Sequence, residues 1–150
     1  MEIEELLEEL KGEIKKDGKL SFHSISAEFL DQKGKLSLAI MPTRWKNDTE
    51  KGIIRTGLKA KLKELKVKKY WFCTEMWVSQ VDYASPDKPY VKPHRDINRQ
   101  EAVAVFEYNE DRTKNQSRIA FFRRTNTGIE FYEQSTSAKA MQAGDSLAYY

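Results

Sequence analysis

The chain has 150 residues, of which 33% are charged, and its formal net charge is only +3. This length suits one ordinary domain that buries most of its apolar surface without disulfides or metals, so we expect a single domain over residues 1–150. No run approaches the roughly 18 apolar residues of a membrane span, and the acidic N-terminus is unlike a secretory signal, which predicts a cytoplasmic protein without a membrane partner. Cys73 has no second cysteine to pair with and is predicted to be a buried thiol.

The small net charge hides two oppositely charged segments. Residues 1–17 carry seven acids and three lysines, for a net charge of −4, whereas residues 42–69 carry ten bases and three acids, for a net charge of +7. The two segments therefore need separate explanations.

The acidic segment is predicted to be an amphipathic helix over residues 2–16, because its apolar residues recur at spacings of three and four. A following Asp-Gly pair is expected to end it. The stretch SISAEFLDQKG, residues 24–34, is predicted to hold a short second helical turn capped at one of its two serines. The next stretch, KLSLAIMP, alternates briefly and predicts a strand over residues 35–42 that stops at its proline.

A second helix is predicted from Asp48 or Thr49 to about Lys66, with an apolar stripe that recurs every three or four residues. Aromatic-rich strands are expected after it, and the polar stretches NEDRTKNQ and TNTG are predicted to be turns between the later ones. The predicted strand ranges are 69–82, 101–109, 117–124 and 128–134.

Together these elements predict an α+β fold with a mixed sheet of about four or five strands. The strand at 35–42, the basic helix and the strand at 69–82 would form a βαβ unit, and the later strands would add an antiparallel meander. The N-terminal helix and the basic central helix are expected to pack on this sheet.

Residues 83–99 form an unusually long connection that holds three of the four prolines. Loops of this length are usually functional or disordered. Stiffening by proline favours a semi-rigid arm that carries Tyr83, Tyr90 and His94. A solvated hairpin loop is the simpler alternative.

Part of the sequence resembles a family of small uncharacterised proteins of phages and mobile elements. The family pattern is an aromatic strand with Glu-x-Trp, a His-Pro-Asp-Arg-x-Glu stretch and an apolar strand that ends in acids. The stretches YWFCTEMWVSQ and NRQEAVAVFEYNED are similar to it, within a match over roughly residues 35–124. The resemblance implies a phage or viral origin and carries no established activity.

Residue by residue, the resemblance covers Glu75 and Trp77 in the first motif and Arg99 and Glu101 in the second. The sequence departs from the family where Asp-Ile-Asn replaces His-Pro-Asp ahead of the arginine. His94 therefore lies outside the motif and inherits no role from it.

Glu75 lies in the otherwise apolar strand at 69–82, and burying a carboxylate is costly unless it is paired, bound to a ligand or hydrated. If this strand pairs antiparallel with 101–109 across the long loop, Glu75 faces Glu107. Two such carboxylates could bind Mg²⁺ or Mn²⁺ in a nuclease or phosphodiesterase. The residues of this alternative catalytic site are Glu75, Asp82, Glu101 and Glu107.

We favour a structural explanation of these acids, in which Arg99, Arg118 or Arg123 neutralises them in an ion-pair network. The two histidines stand far apart in sequence, and the chain has neither a His/Cys cluster nor a Walker loop, which argues against a zinc site and most common enzymes. We therefore assign no catalytic residue, metal or cofactor from the sequence.

The basic helix is the stronger functional signal. Its cations recur every three or four residues and would line one face beside the apolar stripe, at Lys51, Arg55, Lys59, Lys63 and Lys66. Like charges at this spacing cost a few tenths of a kcal/mol each, which an anionic partner would offset. Phosphates and the acidic helix, within the chain or across a homodimer, are the candidate partners, and a solvated lysine-rich face is the alternative.

We therefore expect a small viral or phage-type interaction protein that binds nucleic acid or a nucleic-acid-handling host protein. Residues near the helix and on the arm would add stacking and charge, namely Trp45, Tyr90, His94, Arg95 and Arg99. The alternatives are a metal-dependent nuclease centred on Glu75 and an assembly protein that forms a homodimer or a larger homo-oligomer.

Overall fold

A computed structural model of the chain describes residues 2–21, 23–81, 99–133 and 140–143. The helices and strands are α1 (Ile3–Asp17), β1 (His23–Leu30), β2 (Leu36–Thr43), α2 (Asp48–Glu64), β3 (Lys69–Val81), β4 (Gln100–Asn109), β5 (Gln116–Thr125), β6 (Gly128–Tyr132) and β7 (Ala140–Ala143). The fold is α+β, as predicted. No helix within the described residues is long and apolar enough to cross a membrane.

The described strands form one seven-stranded sheet, in which six strands follow the order β2-β1-β3-β4-β5-β6, β7 pairs with β3, and every pair is antiparallel. β1 pairs with residues 69–73 of β3, and β7 pairs with residues 78–81 on the same side of β3. Residues 74–77 of β3 lie between these two neighbours and pair on their other side with β4.

The predicted mixed sheet of four or five strands and its βαβ unit are wrong. Residues 23–30 form a strand rather than a helical turn, because Ile25 and Ala27 alternate with polar residues and are buried on one side. β1 lies between β2 and β3, so the strands on either side of α2 are not neighbours. A tight hairpin joins β1 to β2, which makes their pairing antiparallel.

The helix ends follow local chemistry. α1 ends as predicted at the Asp17-Gly18 pair, because Gly18 adopts φ +77° and its backbone N–H donates to the Ile14 carbonyl. α2 begins at Asp48, and its cap is Asn47, one residue before the predicted Asp48, because the Asn47 side chain accepts a hydrogen bond from the backbone N–H of Glu50. α2 ends at Glu64, and Lys66 beyond it adopts a left-handed φ of 54°.

The two helices pack on opposite faces of the sheet. Side chains alternate across a strand, and buried Trp71 and Cys73 of β3 contact Ile3 and Leu6 of α1. Phe72, which lies between them in β3, points to the other face and packs with Ile25 of β1 and Leu58 of α2. The sheet therefore separates the acidic helix from the basic one.

Candidate functional site

The pairing of β3 with β4 decides which acids meet. Trp71 lies opposite Glu107, Glu75 opposite Val103 and Trp77 opposite Glu101. The expected pairing of Glu75 with Glu107 is therefore wrong by four residues. Both acids do share the α1 face of the sheet, but the separation of four positions along the strand is about 13 Å.

Glu75 holds the loop that follows α1. Its Oε1 accepts a hydrogen bond from the backbone N–H of Leu20, and Glu13 of α1 accepts a second one from the backbone N–H of Ser21 at 2.7 Å. Burial raises the pKa of Glu75 above its ordinary value, although the Leu20 hydrogen bond and the charge of Arg124 act in the opposite direction. Glu75 therefore serves as an acceptor for a loop whose backbone donors would otherwise be unpaired.

Glu107 is buried and fully hydrogen-bonded. Its donors are Trp71 Nε1 at 2.9 Å, Gln116 Nε2 at 2.7 Å and Asn109 Nδ2 at 3.2 Å, with Lys69 Nζ at 3.4 Å. Burial alone would raise the pKa of Glu107, but these hydrogen bonds and the Lys69 charge together hold it below its ordinary value.

The ion pairs of the remaining residues differ from the predicted ones. Glu101 is bound by Arg124, with Nε 3.0 Å from Oε2. Of the arginines expected near Glu75, Arg118 pairs with Glu4 at 2.9 Å and the Arg123 guanidinium lies over the Tyr132 ring at 4.3 Å. Glu107 thus has its own partners, whereas Glu101 and Glu75 share the charge of Arg124.

These contacts also bear on the alternative metal site. Within the described residues, no three His, Cys, Asp or Glu side chains are grouped so that they could hold a metal ion. Glu75, Glu101 and Glu107 each have their own partners, and Asp82 lies outside the described residues. The geometry gives the three described carboxylates structural contacts; Glu75 and Glu101 are close enough for their charges to interact, whereas Glu107 lies apart from Glu75.

The basic flank of α2 is the second candidate surface. The cations Lys51, Arg55, Lys59 and Lys63 follow one another at intervals of four residues, the first two half-buried and the last two exposed. Lys66 does not continue this ladder as predicted, because α2 has already ended. We call the four helical cations the basic ladder.

An aromatic residue lies at the start of this ladder. The Lys51 ammonium is 5.4 Å from the centroid of the Trp45 ring, and this ring packs 5.6 Å from the ring of His23. Trp45 also belongs to the cluster under α2. The predicted combination of cations with Trp45 is therefore present on the α2 face of the sheet.

Of the residues that the arm was expected to contribute, Arg99 alone lies within the described part of the chain. Tyr83, Tyr90, His94 and Arg95 lie outside the described residues. Arg99 is exposed, and its guanidinium lies 4.4 Å from the centroid of the Trp77 ring. Because Trp77 is in phase with Trp71, Arg99 lies on the α1 face and is not beside the basic ladder.

Sequence reasoning missed a polar cluster under the α2 face. The Thr74 hydroxyl donates to the Glu75 carbonyl at 2.8 Å, so its single hydrogen is used and His23 Nδ1 must donate to the same hydroxyl oxygen. Burial lowers the pKa of His23, which favours the neutral ring with a lone pair on Nε2. The sequence signal for this cluster was the alternation of buried and polar residues along β1, which was overlooked because a helical turn was predicted there.

Comparison with known proteins adds no relative. No protein-family model, no curated protein and no solved structure matches this chain. The resemblance to phage proteins stays a prediction.

Proposed function

We propose that this chain is a phage-type interaction protein that binds the phosphate backbone of nucleic acid through the basic ladder of α2. The observation that carries the proposal is the separation of charge by the sheet. α2 turns its apolar stripe toward one face, where the basic ladder flanks it, and the acidic helix α1 lies on the other face. The two helices of one chain therefore cannot neutralise each other.

The dimensions of the ladder suit a phosphate backbone. The four cations from Lys51 to Lys63 span twelve residue-to-residue steps of helix, or about 18 Å. One strand of a duplex advances about 3.4 Å per phosphate, so the ladder is as long as about five nucleotide steps. Trp45 beside Lys51 offers a ring on which a base of a single strand can stack. We expect binding with weak sequence preference.

The test removes the ladder without changing the core. Replacing Lys51, Arg55, Lys59 and Lys63 together by glutamine should abolish retention on single- and double-stranded oligonucleotides at low salt. Binding of the native chain should weaken steeply with salt, at about 0.9 logarithmic units of affinity per unit of log salt for each phosphate contact on duplex DNA. The quadruple variant should keep the native melting temperature.

A matched control removes the same charge elsewhere. Lys16, Lys19, Lys33 and Lys35 are exposed and lie outside α2. Their joint replacement by glutamine should leave most of the affinity. If both quadruple variants lose affinity equally, general charge rather than the ladder explains binding, and the proposal is wrong. If the native chain is not retained by nucleic acid but binds an acidic host protein through the ladder, the partner class is the one to revise.

A further inference from the structure

Among the described residues, β2 is an edge strand that pairs with β1 alone, and its outer edge presents an apolar stripe that α1 does not cover. Leu36, Leu38 and Ile40 are 62%, 43% and 60% exposed, and Leu30, which pairs with Leu36, is 54% exposed. All four lie on the α1 face of the sheet, where α1 itself contacts β4, β5 and β6. Together these side chains expose on the order of 400 Å² of apolar surface, a size that on a monomer often marks an interaction site.

The backbone of the same residues faces outward. The Asp31 N–H donates to the Lys35 carbonyl at 2.9 Å, which fixes the phase of the hydrogen bonds between β1 and β2. Ser37 and Ala39 therefore bond to β1, whereas Leu36, Leu38 and Ile40 direct their N–H and C=O groups to the free edge. The backbone of Pro42 also faces outward, so the N–H that proline lacks is not needed for a hydrogen bond to β1.

Residues 36–40 of this edge, which precede Pro42, lack the devices by which monomeric sheets avoid pairing. Proteins usually protect an edge strand with charges, proline or a bulge. Residues 36–40 of β2 carry no charge and no proline, and their register with β1 is unbroken. At the other end of the described sheet, the edge strand β6 is only five residues long and carries exposed Glu130.

We propose that β2 pairs antiparallel with β2 of a second copy of this chain, about a two-fold axis at Leu38. In this register Leu36 lies opposite Ile40 of the second copy, and the apolar stripes of both copies meet on one face. The exposed stripe is self-complementary because Leu36 and Ile40 lie two residues on either side of Leu38. A second copy is the occupant that supplies both an unpaired strand edge and a matching apolar stripe.

The arrangement also predicts where the helices lie. A two-fold axis between antiparallel strands is perpendicular to the sheet, so each face of one copy continues into the same face of the other. Both α2 helices would share one side and both α1 helices the other. If the proposed nucleic-acid function holds, the dimer presents two basic ladders to one ligand, but the dimer itself does not depend on that function.

The expected association is modest. A stable interface buries roughly 800 Å² on each partner, and the apolar stripe supplies about half of that area. We therefore expect a dissociation constant on the order of micromolar. Sedimentation velocity of the full chain, without nucleic acid, should show a monomer that converts to a dimer as its concentration rises.

The first test uses a charge on the edge. Leu38→Lys should shift the dissociation constant upward by at least tenfold, because a charge would then oppose its own copy across the axis. Ile53→Lys is the matched control, because Ile53 is 69% exposed but lies on α2, and it should leave the dimer unchanged. A native chain that stays monomeric to about 100 μM, or a dimer that tolerates Leu38→Lys, would overturn the proposal.

The second test reads the register. Directly opposed residues of a hydrogen-bonded antiparallel pair have Cα atoms about 5.5 Å apart, within the range that a disulfide spans. Leu38→Cys should therefore give a covalent dimer under mild oxidation, whereas Ser37→Cys should not, because Ser37 would face Ala39 of the second copy. Native Cys73 is buried and serves as the background. Equal cross-linking of both variants, or of neither, would contradict the two-fold at Leu38.

Discussion

The two helices of this protein differ in how far they enter the core. α1 buries Ile3, Leu6 and Ile14. The loop after α1 is held by hydrogen bonds from its backbone to two carboxylates, Glu13 of α1 and Glu75 of β3. α2, although two residues longer, buries only Leu58, whereas Ile54 and Leu62 are half-buried and Ile53 is exposed. α1 is therefore an integral part of the sheet packing, whereas α2 rests on the sheet and leaves most of its basic surface to solvent. A helix that adds little to the core is the better place for a binding surface.

The largest expected effect is a loss of stability, and it compares the packing of the two helices directly. Ile14→Ala should lower the free energy of unfolding by about 3–4 kcal/mol, because Ile14 is fully buried among Leu20, Val103 and Phe122. Leu58→Ala removes as much hydrocarbon from the α2 side and should cost about 2 kcal/mol, since the loosely held helix can settle into the space. Urea denaturation of both variants measures the difference. Equal losses would show that α2 is as firmly packed as α1.

The elements that sequence patterns predicted well are those with strong periodicity. Both helices and the strands from β3 to β6 lie within about two residues of their predicted ranges, because each has a clear apolar period or a turn with fixed chemistry. β1 was missed because its inward residues, Ile25 and Ala27, alternate with serines that also cap helices.

The candidate site depended on information that local sequence does not contain. The long connection between β3 and β4 leaves the register of this pair undetermined, so the predicted pairing kept Glu75 and Glu107 on one face but displaced them by four residues. The predicted ion pairs failed because the face of each β5 residue was not known: Arg124 shares the face of Glu101, whereas Arg123 lies over Tyr132 on the other face. The basic ladder needed only helical periodicity, which explains why it was predicted except at Lys66 beyond the helix end.

A second prediction concerns the polar contacts beneath α1. Glu107→Gln should lower the free energy of unfolding by about 2–3 kcal/mol near neutral pH, because the new amide N–H₂ faces the donors of Gln116 and Asn109. The pKa of Glu107 is lowered in the folded chain, so its contribution is fully present above the ordinary glutamate pKa, about 4.3, and is lost as the pH falls through the lower folded value. The stability gap between native chain and variant should therefore narrow in acid. A gap independent of pH would contradict the lowered pKa.

The smallest effect on stability is expected at Glu75, which lies on the same face of the sheet as Glu107, and its sign should be opposite to that of Glu107→Gln. Glu75→Gln keeps a carbonyl oxygen that can accept from the Leu20 N–H and removes a charge that burial disfavours, so near neutral pH the variant should be as stable as the native chain or up to about 1 kcal/mol more stable.

The pH dependence of stability tests the direction of the pKa shift of Glu75. A raised folded pKa means that the native carboxyl contributes its stability fully below the ordinary glutamate pKa and loses it as the pH rises through the higher folded value. The variant should thus gain on the native chain between about pH 4 and neutrality, whereas Glu107→Gln falls further behind only as the pH rises toward about 4.3 and keeps a constant deficit above it. Glu75→Ala is the control that deletes the acceptor, and it should lose stability at every pH because the Leu20 N–H is then left without its partner. If Glu75→Gln instead loses as much as Glu75→Ala at neutral pH, the negative charge itself is required at this position, and the loop after α1 is held by an electrostatic contact rather than by a hydrogen bond.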